Sequence, residues 1–332
     1  MNIFENKTIL VTGATGLLGT HLISRLLNCE GCKVIALGRK LQKLETVFKD
    51  YSGKGILYLV EGDVAEAMPY IPEGIDYIFH AASPIAGDII RNYPVSVIKP
   101  NILGLINCLE YLRKRKAETG IDGSMVVFSS ATVYANMTDN DYFVTEENTS
   151  VADNLDASNA PYSESKRMAE VIARSYWKQF EVRVMIARFS YLYGYSLLAP
   201  NTAFYEFINK SLRRENLLLN NNGAARRDNI FVEDAVDGLL CLCEKGNAGE
   251  AYNISSSGDK DNFAAIDEIA EAIAESANSL LGGVNITVSF RETVEGRKPG
   301  LALDNRKLKS LGWGTKYSLK DGISKTLKDY IG

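Results

Sequence analysis

Lys7-Thr8-Ile9-Leu10-Val11-Thr12 runs directly into Gly13-Ala14-Thr15-Gly16-Leu17-Leu18-Gly19, and a helical pattern follows over 21–28. The first six residues are a short β-branched run, so the order is strand, glycine turn, helix. Glycines at such a turn let the backbone bend tightly and approach a pyrophosphate. The helix N-terminus then offers free N–H groups and the positive end of its dipole. The spacing is G-x-x-G-x-x-G, not G-x-G-x-x-G. A glycine trio alone is weak evidence. Bracketed by a strand and a helix, it predicts dinucleotide binding by Gly13, Thr15, Gly16, Leu17, Leu18 and Gly19.

The same unit repeats downstream. Apolar or β-branched runs at 33–37, 55–60, 76–79 and 124–128 read as strands, and 95–114 reads as one long amphipathic helix carrying Asn101 and Gly104. Repeated β-α-β units with short connections mean a parallel, doubly wound α/β sheet of the Rossmann type. The strand ends carry the expected contacts. After 33–37 the chain reads Leu37-Gly38-Arg39-Lys40, with no acid to meet the adenosine ribose hydroxyls. Two cations there suit a 2′-phosphate, so Arg39 and Lys40 favour NADP(H) over NAD(H). After 55–60, Asp63 is placed to meet an adenine amino group, with Val64 beside it. After 76–79, His80-Ala81-Ala82-Ser83-Pro84 leaves room for a ligand, and Ala81, Ala82 and Ser83 join the cofactor set. His80 is read as structural.

Size and composition set outer bounds. The chain has 332 residues, 46% hydrophobic and 23% charged, the balance of an ordinary soluble globule of one large or two modest domains. A net charge of −4 gives no general attraction to nucleic acid or anionic membrane. No apolar run approaches the ~18 residues of a membrane span, and the N-terminus enters a strand with no signal-peptide pattern. Cys29, Cys32, Cys108, Cys241 and Cys243 are an odd, scattered set, which argues for free thiols in a reducing compartment and a cytoplasmic location. The C-x-x-C at Cys29 and Cys32 lacks a second ligand pair and reads as plain thiols. No metal site is expected.

The run Pro161-Tyr162-Ser163-Glu164-Ser165-Lys166 opens a helical stretch over 162–176. Pro is favoured at a first helical position, and Tyr162 and Lys166, four apart, share one helix face. A phenol titrates near pH ~10, and a nearby ammonium lowers that value, so such a pair can move a proton to or from a hydroxyl. The strand at 124–128 ends in Ser129-Ser130, where ligands bind in such sheets. Ser130 is placed to face the Tyr162 helix, its hydroxyl able to donate and accept. The polar segment 135–160 reads as a long loop.

In order and spacing, the glycine turn, Asp63, His80-Ala81-Ala82, Asn101, Ser129-Ser130-Ala131-Thr132-Val133-Tyr134 and Tyr162-x-x-x-Lys166 resemble the extended short-chain dehydrogenase/reductases, in particular the nucleotide-sugar epimerases and dehydratases. The resemblance covers essentially the whole chain. It implies a Rossmann domain over 1–188, a smaller α/β substrate lobe over 189–332 with some chain returning to the first, and a Ser130–Tyr162–Lys166 triad. It implies cofactor contacts from Asn101, Ser129, Tyr162, Lys166 and Phe189, Lys166 holding the nicotinamide ribose. It also implies a homodimer built on the helices near 95–115 and 161–178. Family members that eliminate water carry Asp-Glu directly after the Ser/Thr; Ala131-Thr132 argues against that reaction. Ser130-Ala131-Thr132-Val133-Tyr134 is similar to UDP-galactose 4-epimerases. Ser83-Pro84 and the run from Tyr93 to Lys99 look more like UDP-glucuronate decarboxylases, which usually have Glu where Thr132 stands.

The second half resembles the family's nucleotide-sugar seat. A strand is predicted at 181–187, helices at 201–214, 235–243, 263–280 and 318–331, and a strand at 251–254. Ser83 and Ser130 are expected at the sugar. Tyr191 replaces the family's substrate Asn after Arg188. Arg227, in the family's Arg-Asp-x-x-x-Val-x-Asp pattern, is expected to grip the diphosphate through its fork of donors. Arg297, preferred over Lys298, is the second phosphate contact. The reading is an NAD(P)-dependent enzyme on a nucleotide-activated sugar, a 4-epimerase ahead of an NADPH-dependent 4-keto-sugar reductase or a decarboxylase. A non-catalytic cofactor sensor or scaffold is the alternative from another class; the intact Ser130, Tyr162 and Lys166 speak against it.

Overall fold

The strand expected at 7–12 is Thr8–Thr12 (β1), buried at every residue, as a strand covered on both faces must be. The computed structural model describes residues 3–51, 56–66, 68, 74–134, 142–148, 152–220, 225–292 and 298–332. After β1 come α1 (Leu17–Leu26), β2 (Lys33–Gly38), α2 (Leu41–Val47), β3 (Leu57–Glu61), β4 (Tyr77–His80), α3 (Gly87–Asn92) and α4 (Pro94–Lys99). A π-helical turn, Pro100–Gly104, leads into α5 (Leu105–Thr119), β5 (Ser124–Ser130), β6 (Tyr142–Val144), α6 (Ala160–Phe180), β7 (Arg183–Phe189) and β8 (Tyr191–Tyr193). The rest is α7 (Ala203–Leu212), β9 (Leu217–Leu219), β10 (Ala225–Phe231), α8 (Val232–Lys245), β11 (Ala251–Ile254), β12 (Phe263–Ala265), α9 (Ile266–Leu281), β13 (Val288–Phe290), β14 (Lys298–Leu303), α10 (Arg306–Lys309) and α11 (Leu319–Ile331).

Seven of these strands form one parallel sheet in the order β3-β2-β1-β4-β5-β7-β11. Successive side chains point to opposite faces. Ile9, Val11, Val34 and Ala36 therefore pack with Leu22, Ile23 and Leu26 of α1 and Leu239 and Leu242 of α8. Leu10, Ile35, Ile78 and Val127 pack with Leu105 and Leu109 of α5 and Ala169 and Ala173 of α6. The strand order reverses between β1 and β4, and a ligand crevice opens at the carboxyl ends of the strands there.

The second sheet runs β12-β10-β14-β6, with β8 also paired to β10. Asp228 on β10 ties it to its surroundings. One buried carboxylate oxygen accepts from the Ser256 hydroxyl at 2.6 Å, and the other accepts from the Leu303 N–H at 2.9 Å. Burial pushes Asp228 up to about 6, against those hydrogen bonds. Two parts of the second half return to the first sheet: β11 pairs with β7, and α8 packs against α1, β5 and β7.

Three expectations need correction. The helix expected at 95–114 is present but not uniform: it runs from Pro94 to Thr119 with a π turn at Pro100–Gly104, where Pro100 has no N–H and its ring crowds the carbonyl of Ser96. The loop at 135–160 contains β6, which pairs with β14 far along the chain; residues 135–141 and 149–151 lie outside the described residues. The helix at 263–280 starts only at Ile266, where the Glu268 carboxylate accepts the Ala265 N–H, and the residues before it form β12. Among the described residues no helix is long and apolar enough to cross a membrane. All five cysteines are free thiols.

Candidate active site

The β1–α1 turn presses against the end of β4. Gly13 has φ of +64°, and a Cβ there would meet the Ala81 carbonyl oxygen at 2.7 Å. Both conformation and space require glycine. Gly16, the N-cap of α1, offers no side-chain cap, and a Cβ on it would meet only the Gly13 oxygen, at 3.3 Å. Its missing side chain keeps the mouth of the crevice open beside the unpaired first-turn N–H groups of α1.

Two adjoining cavities share this turn. One, of about 320 Å³, is lined by Thr12, Gly13, Thr15, Gly16, Leu37, Gly38, Arg39, Asp63, Val64, Ala81, Ala82, Ser83, Ser96 and Lys99. The other, of about 450 Å³, is lined by Gly13, Gly16, Leu17, Leu18, Gly19, Ser83, Ile85, Ser129, Ser130, Tyr162, Lys166, Phe189, Ser190, Tyr191, Leu198, Thr202 and Tyr205. Together the two cavities leave room for an extended two-ended ligand, with Gly16 in the lining of both. This is the shape and donor set a dinucleotide requires. Asp63 also braces its own turn, accepting the Ala65 N–H at 2.9 Å.

Tyr162, Lys166 and Ser130 come together in the second cavity. Ser130, at the end of β5, lines this cavity with the Tyr162 phenol and acts against the effect of its burial. The Lys166 ammonium lies 5.7 Å from the centroid of the Tyr162 ring and donates to the Phe128 carbonyl at 2.6 Å. Burial pulls Lys166 down to about 7, with the Glu170 carboxylate opposing it. The expectation that Lys166 lowers the phenol's pKa is not met in this geometry. Burial holds Tyr162 above its ordinary value with Ser130 opposing it, and Lys166, itself pulled down to about 7, has lost its charge in the range where a phenol titrates.

Behind the triad lies a buried ion pair that sequence reading did not single out. Glu170 accepts from Arg188 through both oxygens, at 2.9 and 2.6 Å, and from the Ser129 hydroxyl at 2.6 Å. It thereby ties α6 to β5 and β7 beside the Lys166 acceptor. Burial works against the Arg188 charge, and the Glu170 bonds outweigh it, so the guanidinium stays above its ordinary range. The signal was present: Glu170 stands four residues beyond Lys166, on the same helix face.

The remaining predicted residues are scattered more widely. Asn101 is buried, donating to Ser165 at 2.9 Å, and lines neither cavity. Lys40 is exposed at the N-cap of α2, outside the lining to which Arg39 belongs. Lys99, not predicted, joins that lining. His80 is structural, as read. Thr12 and the Pro100 carbonyl each hydrogen-bond its ring at 3.0 Å, and burial, then the Lys166 charge, pull it down to about 3. Arg227 lies over the Tyr191 ring, 4.7 Å from its centroid. Arg297 falls outside the described residues, as does the side chain of Lys298.

Comparison with known proteins agrees with this architecture. The chain is 28% identical over 329 residues to UDP-glucuronic acid decarboxylase 5 of Arabidopsis thaliana, covering 98% of this chain and 90% of the relative. It is 26% identical over 338 residues to dTDP-D-glucose 4,6-dehydratase of Homo sapiens, covering 98% and 90%. An epimerase structure from Methanothermobacter thermautotrophicus superposes with a TM-score of 0.82 at 23% identity, covering 99% of this chain and 94% of that one. The model of the NAD dependent epimerase/dehydratase family matches residues 9–255, which takes in the glycine turn, the Tyr162 helix and Arg227. That match spans most of the sequence, and the protein belongs to the NAD dependent epimerase/dehydratase family, an extended short-chain dehydrogenase/reductase group of Rossmann enzymes.

Proposed function

We propose that the protein is a nucleotide-sugar epimerase of the 4-epimerase type. The observation that carries this reading is the proton-handling equipment of the sugar chamber. Among the described residues its lining holds the Ser130–Tyr162–Lys166 group and no carboxylate. Eliminating water takes an additional acid to protonate the leaving hydroxyl, whereas oxidising and re-reducing one carbinol carbon takes a single acid/base. The bound dinucleotide supplies the hydride acceptor and, for the return, the donor. Tyr162 receives the proton of the reacting hydroxyl as the C–O bond becomes a carbonyl, and returns it when the carbonyl is reduced from its other face. Ser130 hydrogen-bonds that oxygen in both directions. Lys166, buried behind the phenol, holds the ribose on the nicotinamide side. In this reading the residues through 188 hold the dinucleotide. Those from 189 on seat the sugar nucleotide, with Arg227 and Arg297 on its diphosphate and Tyr191 beside the sugar.

The cofactor reading favours NADP over NAD, supported by Arg39 and Lys99 in the first cavity and by the absence of an acid at Gly38. That preference also supports the reductase alternative. Decarboxylation of a uronate is a second reading, favoured by the 28% identity to a plant UDP-glucuronic acid decarboxylase. The experiment is to incubate the protein with a 4-hydroxyl nucleotide hexose and either dinucleotide, and to follow the product by proton NMR. The C4 epimer should form without net consumption of the dinucleotide, with tighter binding of NADP than of NAD. Stoichiometric oxidation or reduction of the dinucleotide would overturn the epimerase reading.

We further read the protein as a homodimer. Val95 and Ile98 on α4, Leu103 in the π turn, and Met168 and Val171 on α6 are large apolar residues at 39–60% exposure on neighbouring elements. Light scattering should return twice the chain mass; a monomer at micromolar concentration would refute this.

A further inference from the structure

We infer that Tyr191 is a positioning residue for the nucleotide diphosphate: its ring holds the Arg227 guanidinium in place and leaves that group's N–H donors open. The inference rests on the nucleotide-sugar reading above and adds to it. β8 and β10 lie side by side in parallel, with Tyr191 opposite Asn229. Arg227 stands two residues before Asn229 on β10, so it leaves the strand on the same face, one step along from Tyr191. Its guanidinium comes to lie 4.7 Å from the centroid of the Tyr191 ring. Tyr191 in turn lines the second cavity together with Tyr162 and Ser130.

What holds an arginine decides what it can still bind. Arg188 directs its donors to Glu170, the Tyr134 hydroxyl and the Glu146 carbonyl. Arg226 also lies over a ring, 4.0 Å from the centroid of Phe263, but it donates to the Phe263 carbonyl at 2.8 Å. Arg227 is half-buried and differs from both: among the described residues no carboxylate pairs with it and no acceptor takes its donors. A ring attracts a guanidinium through its face and occupies none of the in-plane N–H groups. A rigid fork of donors thus stays available on a wall residue of the chamber, in the geometry that matches phosphate oxygens. The cation in the chamber's own lining, Lys166, is already bound to the Phe128 carbonyl. A carboxylate in place of the ring would neutralise Arg227 and compete with the phosphate, and an aliphatic side chain would leave it loose.

The test is a double-mutant cycle on the full-length, dinucleotide-loaded protein, titrated calorimetrically with UDP and with dTDP. Tyr191→Leu should weaken the tighter of the two by about fivefold, the scale of one lost cation–π contact, and Arg227→Leu by at least as much. Tyr191→Phe, which keeps the ring, should bind like the unaltered protein. In the Arg227→Leu background, Tyr191→Leu should cause no further loss, because the ring acts through the guanidinium. A merely structural role, or direct contact of the ring with the ligand, would weaken binding equally in both backgrounds and overturns the inference. So does a loss below about twofold in Tyr191→Leu, or a Phe variant as weak as the Leu variant. Those results leave a nucleotide-sugar site in place. Failure of UDP and dTDP alike to bind an unaltered protein that still holds its dinucleotide overturns the nucleotide-sugar reading itself.

Discussion

Replacing Tyr162 with Phe should lower the rate of hydride transfer by roughly 10³-fold, the scale of a lost general acid/base. The ring stays, so the packing over Lys166 stays; what leaves is the hydroxyl that shares the cavity with Ser130. Dinucleotide affinity should change less than about threefold, because one hydroxyl is removed while the glycine turn, Arg39 and Asp63 stay in place. Single-turnover absorbance at the nicotinamide band gives the first quantity and fluorescence titration the second. Hydride transfer within a few-fold of the unaltered protein would remove Tyr162 from the chemistry and the triad with it.

Glu170→Ala should destabilise the fold by about 3–5 kcal/mol, the range for breaking a buried ion pair on one side. The side chains of Arg188 and Glu170 are 11% and 10% exposed, so the substitution leaves a guanidinium largely out of water without its countercharge. The Ser129 hydroxyl loses its acceptor in the same step. Arg188 would keep its hydrogen bonds to the Tyr134 hydroxyl at 2.8 Å and the Glu146 carbonyl at 3.2 Å, but neither carries a countercharge. Glu170→Gln, which retains an acceptor for Ser129, should cost less. Urea unfolding of the three proteins measures both differences. A loss below about 1 kcal/mol in the Ala variant would mean the pair is solvated like a surface bridge.

Much of the site was legible because its signals are local. The Gly13–Gly19 turn, the small residues after β4 and the Tyr162/Lys166 spacing each depend on neighbours within a few residues, and one helix or one turn brings them into place. What was not legible depends on distant chain. β6 has no partner until β14 arrives from residues 298–303. Asn101, read as a cofactor contact, is held instead by Ser165 on another helix.

By itself the sequence determined the fold class, since alternating buried strands and amphipathic helices with short connections leave a parallel doubly wound sheet as the arrangement that covers both faces. It also determined the family. Tertiary structure alone decided the electrostatics. The direction of the Tyr162 shift, the turn of Lys166 toward Phe128 and the bracing of both by Glu170 and Arg188 follow from burial and from which atoms meet across strands β5 and β7. Desolvation grows with everything packed around a group, and that sum is taken over residues the local sequence does not contain.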